Sequence, residues 1–298
     1  MIQDIKPQFL NNQYHNCALQ DMSSVVIFNG REILVKRKND EVEFLHYGEF
    51  EKLCEQTCAV RPECIYLFSI GEKSYFMPDI AFVAENNILE MFNDAADGLE
   101  FIKMYDLRRM KPKETVFAGA TAWHLYNWYR SNRYCGVCSG VMKHDEKERM
   151  LFCPNCGNMV FPKLVPAVIV GVKNHDRLLM TKYAGREYKR YALIAGFTEI
   201  GETVEETVAR EVMEETGVKV KNIKYYKSQP WGFDSDLLLG FFCDLDGDDT
   251  IHMDDGELSV AEWIDYKDMP RYHEGLSLTE EMMNHFIEER ISFHRKDK

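Results

Sequence analysis

The chain has 298 residues, 45% of them apolar and 29% charged, the make-up of a folded globular protein long enough for two domains. Its net charge of −13 works against broad electrostatic capture of nucleic acid or of an anionic membrane surface. Nine cysteines, an odd number, argue against a fold held together by disulfides.

The opening stretch, MIQDIKPQFLNNQYHN, contains no continuous apolar run and carries an early acid, so it does not read as a secretory signal. The most apolar internal run, LVPAVIVGV at 164–172, is too short to span a bilayer. The expected location is the cytoplasm. Up to about residue 110 the pattern is mixed α/β. SVVIFN, REILVKR and CIYLFSI predict short strands, parted by turn signals at Asn29-Gly30 and Gly71-Glu72, and VEFLHYGEFEKLCEQT contains the start of a helix. Cys54, Cys58 and Cys64 lack paired spacing and read as packing or surface thiols. Residues 113–131, KETVFAGATAWHLYNWYRS, predict a helix, because Phe117, Ala120, Trp123 or His124, and Trp128 recur near its period.

That helix runs into a cysteine cluster. Cys135 and Cys138 form one Cys-x-x-Cys, Cys153 and Cys156 a second, with fourteen residues between the pairs. Each pair supplies two thiolates from a tight turn, which suits a tetrahedral zinc site. Four thiolates leave no position open for water, so the zinc is expected to be structural, stapling a ribbon too small to hold its own core. His124 reads as a core or surface histidine rather than a ligand. Beyond the ribbon, residues 165–173 predict a buried strand with RLLMTKY as its partner. A helix follows over 203–216, then strands at 237–245 and 260–266, and LTEEMMNHFIEER closes the chain as a helix.

The helix at 203–216 carries the chemistry. Val204, Val208 and Val212 make a buried stripe, while Glu211, Glu214 and Glu215 gather on a neighbouring face. Like charges at these spacings cost roughly 0.2–0.5 kcal/mol per pair, and the C-terminal half of a helix disfavours anions. A hard divalent cation, which takes carboxylate oxygens, would relieve the conflict. The wider pattern is Gly-x5-Glu-x7-Arg-Glu-Val-x-Glu-Glu-x-Gly, filled by Gly196, Glu202, Arg210, Glu211, Val212, Glu214, Glu215 and Gly217. It resembles the Nudix box at every defining position. The resemblance implies an α/β/α sandwich around a mixed sheet, and hydrolysis of a nucleoside diphosphate linked to another moiety with Mg²⁺ or Mn²⁺. It makes Glu211, Glu214 and Glu215 metal ligands, pairs Glu202 with Arg210, and gives Gly196 and Gly217 to the turns. Glu257 is implied as a further metal or base residue. The box leaves open which glutamate is the base.

Two more features narrow the resemblance to the NADH pyrophosphatase branch, whose members carry Ser-Gln-Pro-Trp-Pro-Phe-Pro-x-Ser after the box. Ser228, Gln229, Pro230, Trp231 and Phe233 match it; Gly232 and Asp234 replace two prolines and Asp236 the final serine, which predicts a looser loop. The order of parts is also similar: an N-terminal α/β domain at 1–112, a linking helix and Cys₄ ribbon at 113–162, and a Nudix domain at 163–298. The resemblance implies stacking of a ring on Phe197 and Trp231 and substrate contacts from Ala195, Gln229, Pro230, Phe233, Ser235, Phe161 (at a frequent Tyr position), Glu148 and Arg108. It further implies a homodimer that cleaves NAD(H) to AMP and nicotinamide mononucleotide and removes NAD caps from RNA. The alternatives are another diphosphate such as ADP-ribose, or a zinc-ribbon regulator that binds nucleic acid.

Overall fold

The structure, a computed structural model, describes residues 1–15, 17–58, 61–86, 88–92, 98–185, 190–253 and 256–296. Packing divides the chain into two units. One holds residues 2–163 and 232–235, the other Met1, 164–231 and 236–298.

In the first unit, one sheet orders strands 10–11, 64–70, 73–78, 24–25 and 45–46, and a second joins 28–29, 32–38 and 41–43, with 99–103 paired to 32–38. SVVIFN is therefore not one strand. Ser24–Val25 belongs to the first sheet and Phe28–Asn29 to the second, while Val25 through Phe28 stay buried. Tyr47–Cys58 is a helix as the sequence suggests. Cys54 is buried and Cys64 half-buried, its thiol pushed up to about 12 by burial; the side chain of Cys58 lies outside the described residues. The long helix spans Lys113–Ser131, the predicted stretch, and buries Phe117, Ala120, Trp123 and Trp128 among others. His124 binds the Lys163 carbonyl through Nε2 at 2.6 Å and takes no part in the cysteine cluster. Three two-residue strands, 143–144, 151–152 and 159–160, form the ribbon's own small sheet.

The second unit is built on a six-stranded mixed sheet ordered 220–231, 236–245, 165–174, 177–183 and 258–265, with 194–197 also paired to 165–174. The strand Val165–Asn174 runs parallel to Asp236–Leu245 and antiparallel to Ile194–Phe197. It is buried on both faces, which is why its sequence is an apolar run rather than an alternation. Side chains alternate across it. Val168, Val170 and Val172 pack with Val208 and Val212 of the helix Val204–Thr216, while Ile169 faces Leu278, Met282, Met283, Phe286 and Ile287 of the helix Leu278–Lys296. A helix on each face of the sheet makes an α/β/α sandwich. Among the described residues, no helix is long and apolar enough to cross a membrane.

Candidate functional site

The loop that precedes the acidic helix is fixed by local chemistry. Thr203 caps the helix reciprocally: its hydroxyl accepts from the Glu206 amide at 3.2 Å, and the Thr203 amide donates to Glu206 Oε2 at 2.8 Å. The helix ends at Gly217, whose φ is 71°. Between these ends Arg210 acts as a hub. Its Nε and Nη2 donate to the two oxygens of Glu202 at 2.6 and 3.0 Å, Nη2 also to the Phe197 carbonyl at 2.9 Å, and Nη1 to Glu211 Oε1 at 2.8 Å and Glu214 Oε2 at 2.9 Å. The planar fork of a guanidinium suits this many-sided contact where an ammonium would not. One cation thus ties the strand end, the loop and the helix together.

The like-charge conflict has a first answer in the chain itself, because Arg210 stands between Glu211 and Glu214. The resemblance pairs Arg210 with Glu202 alone; the contact with Glu214 has the i to i+4 spacing of helix neighbours, whereas the contact with Glu211, one residue on, depends on the reach of the arginine side chain. The three glutamates differ in setting. Glu215 is buried, at 2% exposure, the Glu211 side chain is nearly so, and Glu214 is exposed. Burial pushes the Glu211 carboxyl above the ordinary range, Arg210 pulls it back, and the charges of Glu214 and Glu257 push it further up. Glu257 is therefore within electrostatic reach of Glu211; it sits exposed in the turn before the strand Leu258–Asp265, its carbonyl bonded to the Ala184 amide. Hydrogen bonding from Arg210 holds Glu202 down at about 2.

Gly196 explains how the Glu211 carboxylate lies against the sheet. A Cβ added there would fall 1.9 Å from Glu211 Cδ and 2.1 Å from each of its oxygens, so only a glycine leaves that cradle open. The Glu211 and Glu214 carboxylates beside Arg210 are hard oxygen ligands, which suits a hard divalent cation. Among the described residues, however, the glutamates do not bring three ligand atoms within 4.8 Å of one another; the four cysteines do. Sγ–Sγ distances are 3.6 Å for Cys135–Cys156 and 3.4 Å for Cys138–Cys153. Zn–S bonds of about 2.3 Å at tetrahedral angles require edges of roughly 3.8 Å, so the cage fits zinc. Backbone amides of Cys138 and Val137 hold the Cys135 thiol down to about 6, which favours the thiolate that a metal takes.

The other site residues fall into two groups. In the unit that carries the helix, Phe197 is 53% exposed and pairs with Ala167 across the sheet, next to Gly196 opposite Val168. Ser228 to Trp231 are not loop but the end of the strand Val220–Trp231. Trp231 is half-buried and Pro230 exposed, whereas Gln229 is fully buried. Its amide is turned into the protein: Nε2 donates to the Leu276 carbonyl and Oε1 accepts from the Leu278 amide, both at 2.7 Å. The structure thus engages Gln229 in holding the start of the C-terminal helix, a role that residue type alone did not reveal.

The remaining residues lie in the first unit. The Arg108 guanidinium stands 5.7 Å from the centre of the Phe233 ring, so these two come together. Ser235 takes a left-handed φ of 70°. Glu148 is exposed in the ribbon, its amide bound to Asp145 Oδ1, and Phe161 is 53% exposed. At Gly232 the backbone lies close against the helix Lys113–Ser131. A Cβ there would lie 2.2 Å from the Ala120 carbonyl oxygen, and the next residue's carbonyl accepts the Trp123 indole N–H at 3.2 Å. Trp123 is the residue that motif reading missed, because its contact joins positions 110 apart.

Residues 163–286 match the NUDIX domain, and residues 130–161 match the NADH pyrophosphatase zinc ribbon domain. Over 146 residues the chain is 40% identical to the NAD-capped RNA hydrolase NudC of Enterobacter sp. (strain 638), and 39% identical to that of Photorhabdus laumondii. Each match takes in 49% of this chain and 56% of the relative, so the chain spans little more than half the length of these relatives. Among solved structures, a NUDIX hydrolase from Nitrosomonas europaea covers 54% of this chain and 93% of its own, at 21% identity and a TM-score of 0.46. The box thus lies inside a stretch similar to the NUDIX domain, and the four-cysteine ribbon inside one similar to the NADH pyrophosphatase zinc ribbon domain.

Proposed function

We propose that the protein hydrolyses the pyrophosphate of NAD(H) to AMP and nicotinamide mononucleotide, and opens the same bond in the NAD cap of an RNA 5′ end. The observation that carries this reading is the Arg210 hub, which presents Glu211 against Gly196 and Glu214 to solvent in the order of the box. The ribbon match and the names of the relatives support the substrate class. The proposal extends to a cytoplasmic homodimer organised as an N-terminal domain at 1–112, helix and ribbon at 113–162, and a catalytic domain from 163.

Glu211, Glu214, Glu215 and Glu257 would hold Mg²⁺ or Mn²⁺. When bound, the ions supply positive charge against the pyrophosphate and acidify the attacking water. The chain's own residues do the rest. Arg210 fixes the spacing of Glu211 and Glu214 and anchors both to the loop through Glu202. A glutamate of this set takes the proton as water's oxygen bonds to one phosphorus, and the bridging oxygen leaves with the other phosphate. Phe197 and Trp231 offer flat faces on which a nicotinamide or adenine ring stacks, worth about 0.5–1.5 kcal/mol beyond burial. Phe161, Arg108, Glu148, Phe233 and Ser235 are proposed as substrate contacts from the motif resemblance alone.

The test is turnover of NADH, NAD⁺ and ADP-ribose with Mg²⁺ and with Mn²⁺, by zinc-loaded protein and its Glu214→Gln variant. The dinucleotides should be the better substrates, and the variant should lose at least a hundredfold in kcat, within the range general base or ligand loss produces. Preference for ADP-ribose overturns the substrate; unchanged turnover in the variant overturns the assignment of Glu214.

A further inference from the structure

The chain as a whole is acidic, yet one cavity in the unit of the six-stranded sheet is bordered mainly by cations. It measures about 500 Å³, within the roughly 300–1,000 Å³ of small-molecule sites, and Lys173, His175, Lys221, Asp244 and Arg290 line it. Strand register explains why they meet. Asp244 pairs with Lys173 on one side and with Lys221 on the other, so the three side chains stand in a row on one face of the sheet. At the period of a strand, this is also the face from which Ile169 and Phe242 pack toward the helix Leu278–Lys296. Arg290 reaches the row from that helix. The Glu211 cradle lies elsewhere. Gly196 pairs with Val168, five residues or about 16 Å back along the strand that carries Lys173, and the helix Val204–Thr216 packs on the opposite face.

The cations of the cavity are incompletely matched. Lys221 has a close partner, Asp246 at 2.9 Å. Lys173 stands 3.6 Å from Asp244, and Arg290 Nη2 stands 3.4 Å from Glu289, both longer than the roughly 2.7–2.9 Å of a charge-assisted hydrogen bond. Asp244 is itself engaged, since it accepts from Asn222 Nδ2 at 3.0 Å. Arg290 is the more telling. Its side chain is 18% exposed, and the rings of Phe286 and Phe293, 5.7 and 5.4 Å from the guanidinium, hold it in place. Its Nε–H is nonetheless buried and meets no acceptor among the described residues. A buried donor left without an acceptor is costly, so this one marks where a ligand oxygen belongs. The ligand must be an anion with acceptors on several sides. A carboxylate presents two oxygens in one plane; a phosphate group presents enough to meet the guanidinium fork and two ammonium groups together.

We propose that this cavity is a second ligand site, which takes a phosphate group between Arg290 Nε, Lys173 and Lys221. It is independent of what the glutamate helix hydrolyses, since no residue of that helix lines the cavity.

Calorimetric titration at low ionic strength, in buffer without divalent metal, reads Kd for inorganic phosphate, AMP and adenosine. The proteins compared are wild type, Glu211→Gln, Arg290→Gln and the double variant Lys173→Gln/Lys221→Gln. A ligand carrying phosphate should bind wild type and Glu211→Gln alike, and adenosine should not bind. Arg290→Gln should weaken binding about tenfold, the low end for a hydrogen bond to a charged group, and the lysine variant by more. Added salt should weaken it further. Comparable affinity for phosphate and AMP marks a site for the free anion, whereas binding of AMP alone marks one for phosphate carried by a nucleotide; either result supports the site. Absence of binding by both, adenosine binding as tightly as AMP, or full affinity in both the arginine and the lysine variants overturns it. Affinity lost in Glu211→Gln alone would place the phosphate at the glutamates and overturn it as well. Thermal melts identify the folded variants, and the lysine side chains, 26% and 53% exposed, keep the test decisive should Arg290→Gln unfold.

Discussion

Replacing Gly196 by alanine separates folding from chemistry at this site. The new methyl would sit 1.9 Å from Glu211 Cδ and 2.1 Å from both its oxygens, closer than atoms can stand, so one side must move. The carboxylate is the far end of a flexible side chain, and it swings away while the strand keeps its register with Val168. The direct loss is the 2.8 Å bond from Arg210 Nη1 to Glu211. Hydrogen bonds to charged groups contribute about 1.5–3 kcal/mol, and the low end applies because Arg210 keeps Glu202 and Glu214. The predicted stability loss is about 1.5 kcal/mol, read from urea midpoints. Activity should suffer far more, since an ångström of misplacement in a catalytic constellation costs on the order of 10²-fold. Turnover of NADH at saturating Mg²⁺ measures this. A variant whose kcat stays within threefold of wild type would refute the claim that the cradle positions Glu211. Loss of the folded state would refute the claim that only the side chain yields.

Glu202→Gln tests the other end of the hub. The folded-state pKa of Glu202 lies near 2, below the ordinary value near 4.5, so its ion pair adds stability above the ordinary value and loses it as pH falls through about 2. Urea midpoints should separate wild type from Glu202→Gln at pH 6 and converge as pH drops below 4. Removal of zinc with a strong chelator should release one metal ion and four reactive thiols per chain and lower the melting temperature, while Cys153→Ala should purify without zinc; thiol titration with metal analysis checks both.

How far the sequence speaks for the fold depends on how local the determinant is. The helix Lys113–Ser131 and the strand Val165–Asn174 were legible within a residue or so, because unbroken periodicity or an apolar run defines each alone. The box was legible because its spacing is fixed by one helix and the loop before it. The division of SVVIFN between two sheets was not, since two-residue strands show no period: Ser24 and Val25 pair with Tyr75 and Phe76 far along the chain, whereas Phe28 pairs with Ile33 in the next strand. Nor was the inward turn of the Gln229 amide, which depends on the backbone of Leu276 and Leu278. Residue type identified the Cys₄ cage and the acids; it gave no view of Arg210 bridging Glu211 and Glu214, because the arginine's rotamer is chosen by all its acceptors at once.

The chain departs from the catalytic unit after Trp231 and rejoins it at Asp236, and the four residues in between pack with the N-terminal half. A truncation at Lys163 would therefore sever those four residues from the partners they pack with. The excised C-terminal piece would keep its glutamates and its sheet yet carry Gly232 to Ser235 as a slack bridge, with the Phe233 carbonyl returned to water and no helix to lean on. Such a fragment should keep its own core while those four residues lose the packing that orders them.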